Sequence, residues 1–587
     1  MLFGPHETNL ARGRALSERH VAYYARRAAG GCGVVVTETA SVHESDHPYE
    51  RALLAVQCGP GWADVVAACR PHGALVLASL GHTGAQGTSG HAQTALWAPS
   101  AVPDVVTREV PTAMEQADVD ALVAGFAAGT RGAVAADVDG VEVDAGARSL
   151  LRQFLSGLTN TRTDAYGSDR LRLLREVLAA VRAELGPGRV LVLRLCCDEE
   201  APWAGITPEL AVEHVRELAP LVDLLVVVRG SGLATSAYRP DGHTAPGFNA
   251  DLVRAVRAAA GGTPVGLQGS VVDVAAAQRA LDDGVADAVE MTRAQIADAD
   301  LVRRARAGVP VRPCTLCNQA CQVRDVRNPL VSCVADPSDE DALPDGTGRR
   351  VTVVGGGPAG LEAARVLASA GAEVRLVERT GRLGGALRLV AALPGRSRFA
   401  DLADWLAGEV VRLGVRVELG TTAEGGDVVA TGARRPPGPS AADVLAGAAL
   451  PPGPVVVHDP VGGPVGVGVA ELLAAAGREV TLVTPDAVVG ERLGGDLGPA
   501  NARLARAGVR RETSSVLCSA GDGVAFLADR WTGEEQAVPC AAVVDAGPGL
   551  PGDVPPGVLA AGDAVAPRTV LEAVLEGRRA ARALLSR

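Results

Sequence analysis

Lysine does not occur once in these 587 residues, so all 56 basic side chains are arginine. That absence excludes Schiff-base catalysis and the phosphate-binding lysine of a Walker A loop. The chain also lacks any run of about eighteen uninterrupted apolar residues, so no segment reads as a membrane span. Its opening, Met-Leu-Phe-Gly-Pro-His-Glu-Thr, has no basic region followed by an apolar one, and no secretory signal is expected there. A net charge of −12 argues against a nucleic-acid or anionic-membrane surface. The expected setting is the cytoplasm, where thiols stay reduced and no disulfide framework is anticipated. What remains is an ordinary globular composition, 47% hydrophobic and 21% charged, with room for about four domains.

The cysteines are unevenly spread. Cys314, Cys317, Cys321 and Cys333 fall within twenty residues, with two, three and eleven residues between neighbours. Thiolates at such intervals can converge on one soft metal centre, because each loop that closes is short. Zinc favours paired Cys-x-x-Cys knuckles, and only Cys314 and Cys317 have that form. Three close cysteines and a more distant fourth are a common ligand set for iron–sulfur clusters, which points to a 4Fe-4S centre. Cys32, Cys58, Cys69, Cys196, Cys197, Cys518 and Cys540 are expected to be small core residues.

Ahead of the cluster, short apolar runs alternate with amphipathic stretches. The runs are Leu2-Phe3, 34–36, 74–80, 138–143, 190–195, 224–228, 264–267 and 288–291. Eight strands alternating with helices predict a (β/α)8 barrel, with an open doubly wound sheet as the alternative. The residues at the strand ends are polar and unlike one another: His6, Glu7, His82, Asp144, Arg194, Arg229 and Arg293. Glycines cluster after the seventh run, in Gly266-Leu-Gln-Gly269-Ser270, where a barrel commonly binds phosphate.

Behind the cluster, an acidic Pro/Gly linker (336–348) leads to Val351-Thr-Val-Val-Gly355-Gly356-Gly357-Pro-Ala-Gly360. This G-x-G-x-x-G follows an apolar run, opens a helix and meets Glu378 eighteen residues after Gly360. Gly355, Gly357 and Gly360 let a pyrophosphate approach the helix, and Glu378 can take ribose hydroxyls. A second unit begins at Val455. Shifting the numbering by 106 aligns Gly463 and Gly466 with the first fingerprint, puts Val461 in place of Gly355, and puts Thr484 in place of Glu378. Without a carboxylate at Thr484, the choice among NADPH, weakly bound NADH and no ligand stays open. A Pro/Gly-rich stretch, 433–454, reads as the hinge into this unit.

Several motifs are familiar. Val138 to Asp144, Leu150 to Leu155 and Thr159 to Gly167 resemble the fourth-strand region of Old Yellow Enzyme-type flavin barrels. Leu80-Gly-His82-Thr-Gly84 resembles their third-strand ending, and Met291-Thr292-Arg293 their eighth. Leu383-Gly384-Gly385, Ala430-Thr431-Gly432 and Ala561-Gly562-Asp563-Ala564 resemble the FAD-binding half of disulfide-reductase-like flavoproteins. The whole chain is similar to the fused branch of 2,4-dienoyl-CoA reductase and trimethylamine dehydrogenase, and most of all to mycofactocin-associated oxidoreductases.

That resemblance implies FMN at the carboxyl end of the barrel. Gly4, Pro5, His6 and Glu7 would line one edge of the flavin, and Arg194 would face its pyrimidine ring. Ser270, Thr292 and Arg293 would sit near the phosphate. For FAD, the resemblance adds Gly385, Thr431, Gly432, Gly562 and Asp563, the last holding the ribityl chain. Glu7 stands where amine dehydrogenases of the family carry a flavin-bonding cysteine, so FMN is expected to be noncovalent. The family's histidine pair after strand four is replaced by Asp144 and Ala147, and its tyrosine by Ser149. Asp144, Tyr238 and His243 are therefore the candidate acid–base groups. The family carries some twenty residues ahead of the first strand, while this sequence begins inside that strand at Leu2; either the segment is dispensable or the recorded start is late, and on the first alternative a barrel open at its bottom is expected.

The expected organisation is α/β: an FMN barrel (1–310), an iron–sulfur segment and linker (311–348), an FAD-binding part (349–440), an inserted NAD(P)-binding-like unit (441–540) and the rest of the FAD-binding domain (541–587). The leading expectation is that NAD(P)H reduces FAD, electrons cross the 4Fe-4S cluster, and FMN reduces an activated alkene or carbonyl. The alternatives are amine or alcohol oxidation in the opposite direction, and an electron-transfer module with a vestigial barrel site. A small-molecule substrate is expected and no nucleic-acid or membrane partner. A redox partner and assembly into a homo-oligomer stay open.

Overall fold

The computed structural model describes residues 1–323, 329–337, 343–434 and 438–587. Part of the acidic linker (338–342) and part of the hinge (435–437) lie outside them. The chain divides into two compact units. The first comprises 1–240, 244–311 and 318–332, and the second 241–243, 312–317 and 333–587.

The first unit is a parallel eight-strand barrel. Its strands run β1 Leu2–Phe3, β2 Val34–Val36, β3 Leu75–Gly81, β4 Gly140–Ala145, β5 Val190–Asp198, β6 Leu224–Arg229, β7 Val265–Leu267 and β8 Ala288–Val289, paired in that order. A parallel bridge from Leu2 to Glu290 nearly closes the ring. All eight apolar runs of the sequence form strands, because parallel strands are buried on both faces and need continuous apolar stretches.

Each strand is followed by a covering helix: α1 Glu18–Ala29, α2 Gly59–Cys69, α3 Gln116–Ala135, α4 Arg172–Leu185, α5 Pro208–Leu218, α6 Ala250–Ala259, α7 Val274–Asp282 and α8 Leu301–Arg306. On α4 the buried side chains are Leu173, Leu174, Val177, Leu178, Val181 and Leu185, a single stripe at helical spacing. Thr207 accepts the Leu210 amide to start α5, with Pro208 pre-set for the first turn. Leu2, Val36, Leu77, Val192, Cys196, Val226 and Val228 fill the barrel interior. Each large apolar side chain buried there contributes roughly 1.5–3 kcal/mol.

The second unit holds two parallel sheets. The first contains β9 Arg350–Val354, β10 Glu373–Glu378, β11 Arg416–Leu419, β12 Val428–Val429 and, much later, Leu559–Ala560, in the order β11-β10-β9-β12 with the late strand at the edge. Helix α9, Pro358–Ser369, connects β9 to β10, and α10, Arg398–Arg412, precedes β11. The inserted sheet is built from β13 Val455–His458, β14 Val480–Val483, β15 Arg510–Glu512 and Ala542–Asp545, with helix α11, Pro464–Ala475, after β13. Ala542–Asp545 pairs residue for residue with β13, so the inserted sheet runs past residue 540. A three-stranded antiparallel sheet, Ser515–Gly521, Val524–Asp529 and Glu535–Pro539, belongs to the same insertion. Cys518 is exposed on the first of these strands, against the expectation of a core position, because it falls at a register shift in an edge strand, between Leu517 and Ser519.

A buried ionic knot ties the cysteine segment into this unit. Arg578 donates to Asp336 at 2.8 Å and to Glu362 at 2.7 Å, while Arg312 pairs with Asp336 at 2.6 Å and lies over the Trp405 ring. Burial works against the charge of Glu362, yet Arg365 and Arg578 hold its pKa down to about 2.

Candidate active site

Along β5 successive side chains alternate faces, so Val192, Arg194 and Cys196 share the barrel interior. Arg194 is only 2% exposed. A guanidinium so placed needs carboxylates around it, and two supply them. Its Nε donates to Glu142 Oε1 at 3.1 Å, and its Nη2 to Glu142 Oε2 at 3.2 Å and Glu290 Oε2 at 2.6 Å. Burial disfavours the charge on Arg194, but Glu142 and Glu290 outweigh it and hold its pKa above the arginine range. Burial pushes Glu142 up, against the pull of Arg194. Nη1 of Arg194 is buried and without a hydrogen-bond partner. At Gly4 a Cβ would come within 2.2 Å of the Glu290 carboxyl carbon, so only glycine lets the first loop pass this close.

Asp144 shares the inward face of β4 with Glu142 and is the register partner of Arg194. It is partly buried, and its Oδ1 accepts the Gly146 amide at 2.8 Å. Burial raises its pKa, with Arg194 opposing. Ser149 turns back to donate to the Asp144 carbonyl at 2.5 Å, and Ala147 is buried. Asp144 is thus the titratable group at the positions where the family's histidine pair and tyrosine stand.

A small cavity of about 40 Å³ opens beside Glu290, lined among others by Pro5, His6, Tyr238, Gln268, Thr292 and Arg293. His6 is locked by the Gly4 carbonyl and the Tyr23 hydroxyl, each at 2.9 Å, and burial lowers its pKa to about 3, so it stays neutral. Burial raises the pKa of Tyr238, against Arg194, and keeps its phenol protonated at neutral pH. Arg293 donates to Ser270 Oγ at 2.5 Å, Ser270 sits at a left-handed φ of +57°, and the Gly4 amide donates to Thr292 Oγ1 at 2.9 Å. Gln268 Oε1 is buried without a partner. These residues fit FMN. Arg293 and Ser270 would hold its phosphate, and the orphaned Arg194 Nη1 and Gln268 Oε1 would meet the carbonyl and N–H edge of its ring.

Glu7, next to His6, lies 3.6 Å from Arg148 on the loop after β4. His243 is in the second unit, with Nδ1 2.9 Å from both oxygens of Asp241 and Nε2 3.5 Å from Glu471 on α11. Burial opposes its charge, but Asp241 and Glu471 outweigh it and raise its pKa. His243 is not among the residues lining the barrel cavity.

None of the cysteines is in a disulfide. Cys314, Cys317 and Cys333 belong to the second unit and Cys321 to the first. Among the described residues no three His, Cys, Asp or Glu side chains stand together as a site for one metal ion. Two of the cysteines receive an amide from two residues on: the Leu316 amide points at Cys314 Sγ at 3.5 Å and the Ala335 amide at Cys333 Sγ at 3.4 Å. Such amide contacts tune iron–sulfur centres. Leu316 and Asn318 take left-handed φ values of +54° and +52°, turning the loop between the first cysteines, and Arg398 and Arg396 hold the Cys314 and Cys317 carbonyls. Cysteine thiolates are the donor type of an iron–sulfur cluster, but the described residues do not bring three of these four together, so the cluster rests on their spacing in the sequence. Cys314→Ser is expected to remove iron and acid-labile sulfide, about four of each per chain, from anaerobically purified protein; unchanged iron would take Cys314 out of the ligand set.

The first nucleotide loop is open. Gly355 has φ +106°, and a Cβ there would meet the Ala430 carbonyl at 2.2 Å, whereas Gly357 at the start of α9 has nothing within 4 Å. A Cβ on Gly360 would strike the Gly355 carbonyl at 1.8 Å, so α9 packs closely on β9. Glu378 closes β10 and accepts the Gly356 and Thr380 amides at 2.7 and 2.8 Å. Gly385 (φ +48°) lies against Gly357, and Gly432 (φ +83°) follows Thr431 after β12. Asp563, its pKa raised by burial, follows Gly562 (φ +69°) and accepts the Arg568 amide at 3.3 Å. This loop and these residues fit FAD. In the inserted unit Gly463 opens α11, Gly466 is buried in it, and Thr484 is buried at the end of β14.

Sequence reasoning misses Glu142 and Glu290. The available signal is an acid inside an apolar strand, Val141-Glu142-Val143 and Val289-Glu290-Met291, at a position that alternation turns inward.

Residues 3–312 match the NADH:flavin oxidoreductase / NADH oxidase family, and residues 320–435 match pyridine nucleotide-disulphide oxidoreductase. The chain is 31% identical over 551 residues to N,N-dimethylglycine/sarcosine dehydrogenase of Chromohalobacter salexigens, covering 84% of this chain and 78% of that protein. It is 32% identical over 496 residues to a metal reductase of Desulforamulus reducens, covering 79% and 74%. Histamine dehydrogenase from Rhizobium sp. 4-9 superposes with a TM-score of 0.91 at 25% identity, over 99% of this chain and 94% of that one. The chain therefore belongs to the NADH:flavin oxidoreductase / NADH oxidase family, as a flavin oxidoreductase enzyme whose barrel continues into a pyridine nucleotide-disulphide oxidoreductase region.

Proposed function

We propose that the chain oxidises a small cationic amine at the centre of its barrel. The observation that carries this reading is charge: Glu142, Glu290 and Asp144 face one buried arginine. A carbonyl substrate asks for hydrogen-bond donors, and the positions that supply them elsewhere in the family are Asp144, Ala147 and Ser149 here. A protonated secondary or tertiary amine instead brings the positive charge that this excess of carboxylate lacks. Asp144 accepts the ammonium proton, and its raised pKa makes it a stronger base for the purpose. The chemistry that FMN supplies when bound is two-electron hydride acceptance. Loss of that hydride from the carbon beside nitrogen leaves an iminium, which water splits into a smaller amine and a carbonyl compound. Glu142 and Glu290 keep Arg194 in place. The names of the dimethylglycine/sarcosine and histamine dehydrogenases support the reading. On this reading the cysteine segment carries electrons away from the barrel, toward FAD or a redox partner.

The second reading is reduction of an activated alkene or carbonyl, and Tyr238 favours it, because a phenol kept protonated in the cavity can donate a proton. Anaerobic mixing of the holoenzyme with a panel of secondary and tertiary amines separates the two. Bleaching of the barrel flavin by an amine is the expected result. No bleaching by any amine, together with turnover of an enone by NAD(P)H, would replace the first reading by the second.

A further inference from the structure

We infer that the inserted unit does not bind a nicotinamide dinucleotide, because the Asp459 carboxylate already occupies the place of the pyrophosphate. The inference goes beyond the proposed amine oxidation and does not depend on it.

The two nucleotide folds of the chain can be compared position by position. In the first, β9 ends at Val354 opposite Val377, and the next amide, Gly355, donates to the Val377 carbonyl at 2.8 Å. In the inserted unit β13 ends at His458 opposite Val483, and the next amide, Asp459, donates to the Val483 carbonyl at 2.8 Å. Asp459 therefore stands where Gly355 stands. The alignment by glycine count, which puts Val461 there, is off by two. Three residues (355–357) separate β9 from α9, but five (459–463) separate β13 from α11.

Those two extra residues fold the loop onto its own acid. Asp459 Oδ1 accepts the Val461 amide at 3.1 Å and the Gly462 amide at 3.0 Å. Free loop amides are what a dinucleotide's phosphates bind, and here an internal anion has taken two of them. The third fingerprint glycine is preserved for a different reason in each fold. Gly360 makes room for the Gly355 backbone, whereas a Cβ on Gly466 would strike the Asp459 carboxyl carbon at 2.5 Å. Asp459 is 1% exposed, and its Oδ2 is buried without a hydrogen-bond partner.

A second carboxylate crowds the same loop. A Cβ on Gly462 would come within 2.2 Å of Asp486 Oδ2. Burial raises the pKa of Asp459, and the nearby charge of Asp486 adds to it. A pyrophosphate arriving here would have to displace one anion and lie beside another. The chain has no lysine to offset them, and among the described residues no guanidinium is hydrogen-bonded to the Asp459 carboxylate. Thr484, completely buried, does not present the ribose-binding carboxylate that Glu378 offers in the first fold.

Amide hydrogen exchange of the full-length holoenzyme tests this with NADH, NADPH and ADP-ribose, each at about 1 mM, a level that detects even weak binding. The expected result is unchanged exchange at residues 461–466 with all three. Protection of those amides by any of them would overturn the inference. Asp459→Gly frees the Val461 and Gly462 amides, and should gain at least about tenfold in nucleotide affinity by the same readout. No gain in that variant would remove Asp459 as the cause.

Discussion

Asp144→Asn is expected to lower kcat/KM for an amine substrate by about 100- to 10,000-fold, the range for losing a positioned general base. Asparagine keeps the acceptor that the Gly146 amide uses, so the strand end should hold its shape while the proton acceptor disappears. The pH dependence carries the diagnosis. Burial raises the Asp144 pKa, and the base works only when ionised. Wild-type activity should therefore climb as pH rises through that raised value, and this limb should be missing in the variant. Stability has the opposite sign. A carboxyl whose folded pKa is raised contributes its stability below the ordinary carboxylate range and loses it as pH rises through the folded value. At neutral pH the ionised group is therefore a burden, and Asp144→Asn should melt no lower than the wild type, with any advantage fading in acid. Stopped-flow bleaching of the flavin across pH, with thermal melts of the same samples, measures both. An unchanged pH profile in the variant would take Asp144 out of the chemistry.

Arg194→Met carries the largest expected loss of stability. It leaves Glu142 and Glu290 inside the barrel without the cation both of them bind. Removing one partner from a buried ionic group typically costs about 3–5 kcal/mol, because the remaining charges have no water to turn to. Arg194→Lys should fall between, since a single ammonium cannot reproduce donation from Nε and Nη2 to two carboxylates. Adding Glu142→Gln to Arg194→Met should recover part of the loss by removing one stranded charge. Denaturant unfolding of the barrel, followed for all four proteins, is the measurement. A loss under about 1 kcal/mol in Arg194→Met would mean the carboxylates are neutral there and the arginine is not their counter-ion.

Much of this arrangement is legible in the order of the residues. The barrel strands can be read because a buried parallel strand must be apolar on both faces, which leaves a continuous run in the sequence. Arg194 and Asp144 stand out as polar residues closing such runs. Glu142 and Glu290 do not, since an acid inside an apolar run means little until alternation and ring closure turn it toward the same centre. His243 shows the reverse. Its loop follows a barrel strand, which suggests a place at the barrel mouth, yet its charge partners are Asp241 and Glu471, and Glu471 lies more than two hundred residues away on α11.

The inserted unit marks the boundary most clearly. Its glycines, its alternation of strand and helix, and the missing acid at Thr484 all follow from residue order, because turns, capping and apolar periodicity act over a few neighbouring positions. Which residue stands first in the phosphate loop is set by strand pairing, and pairing places Asp459 there, two residues ahead of the glycine count. Local chemistry by itself determined what the elements are and which cofactors they resemble. Only the packed chain decided which charges meet, because electrostatic partners are chosen by distance through space and by exclusion of water, neither of which is written along the backbone.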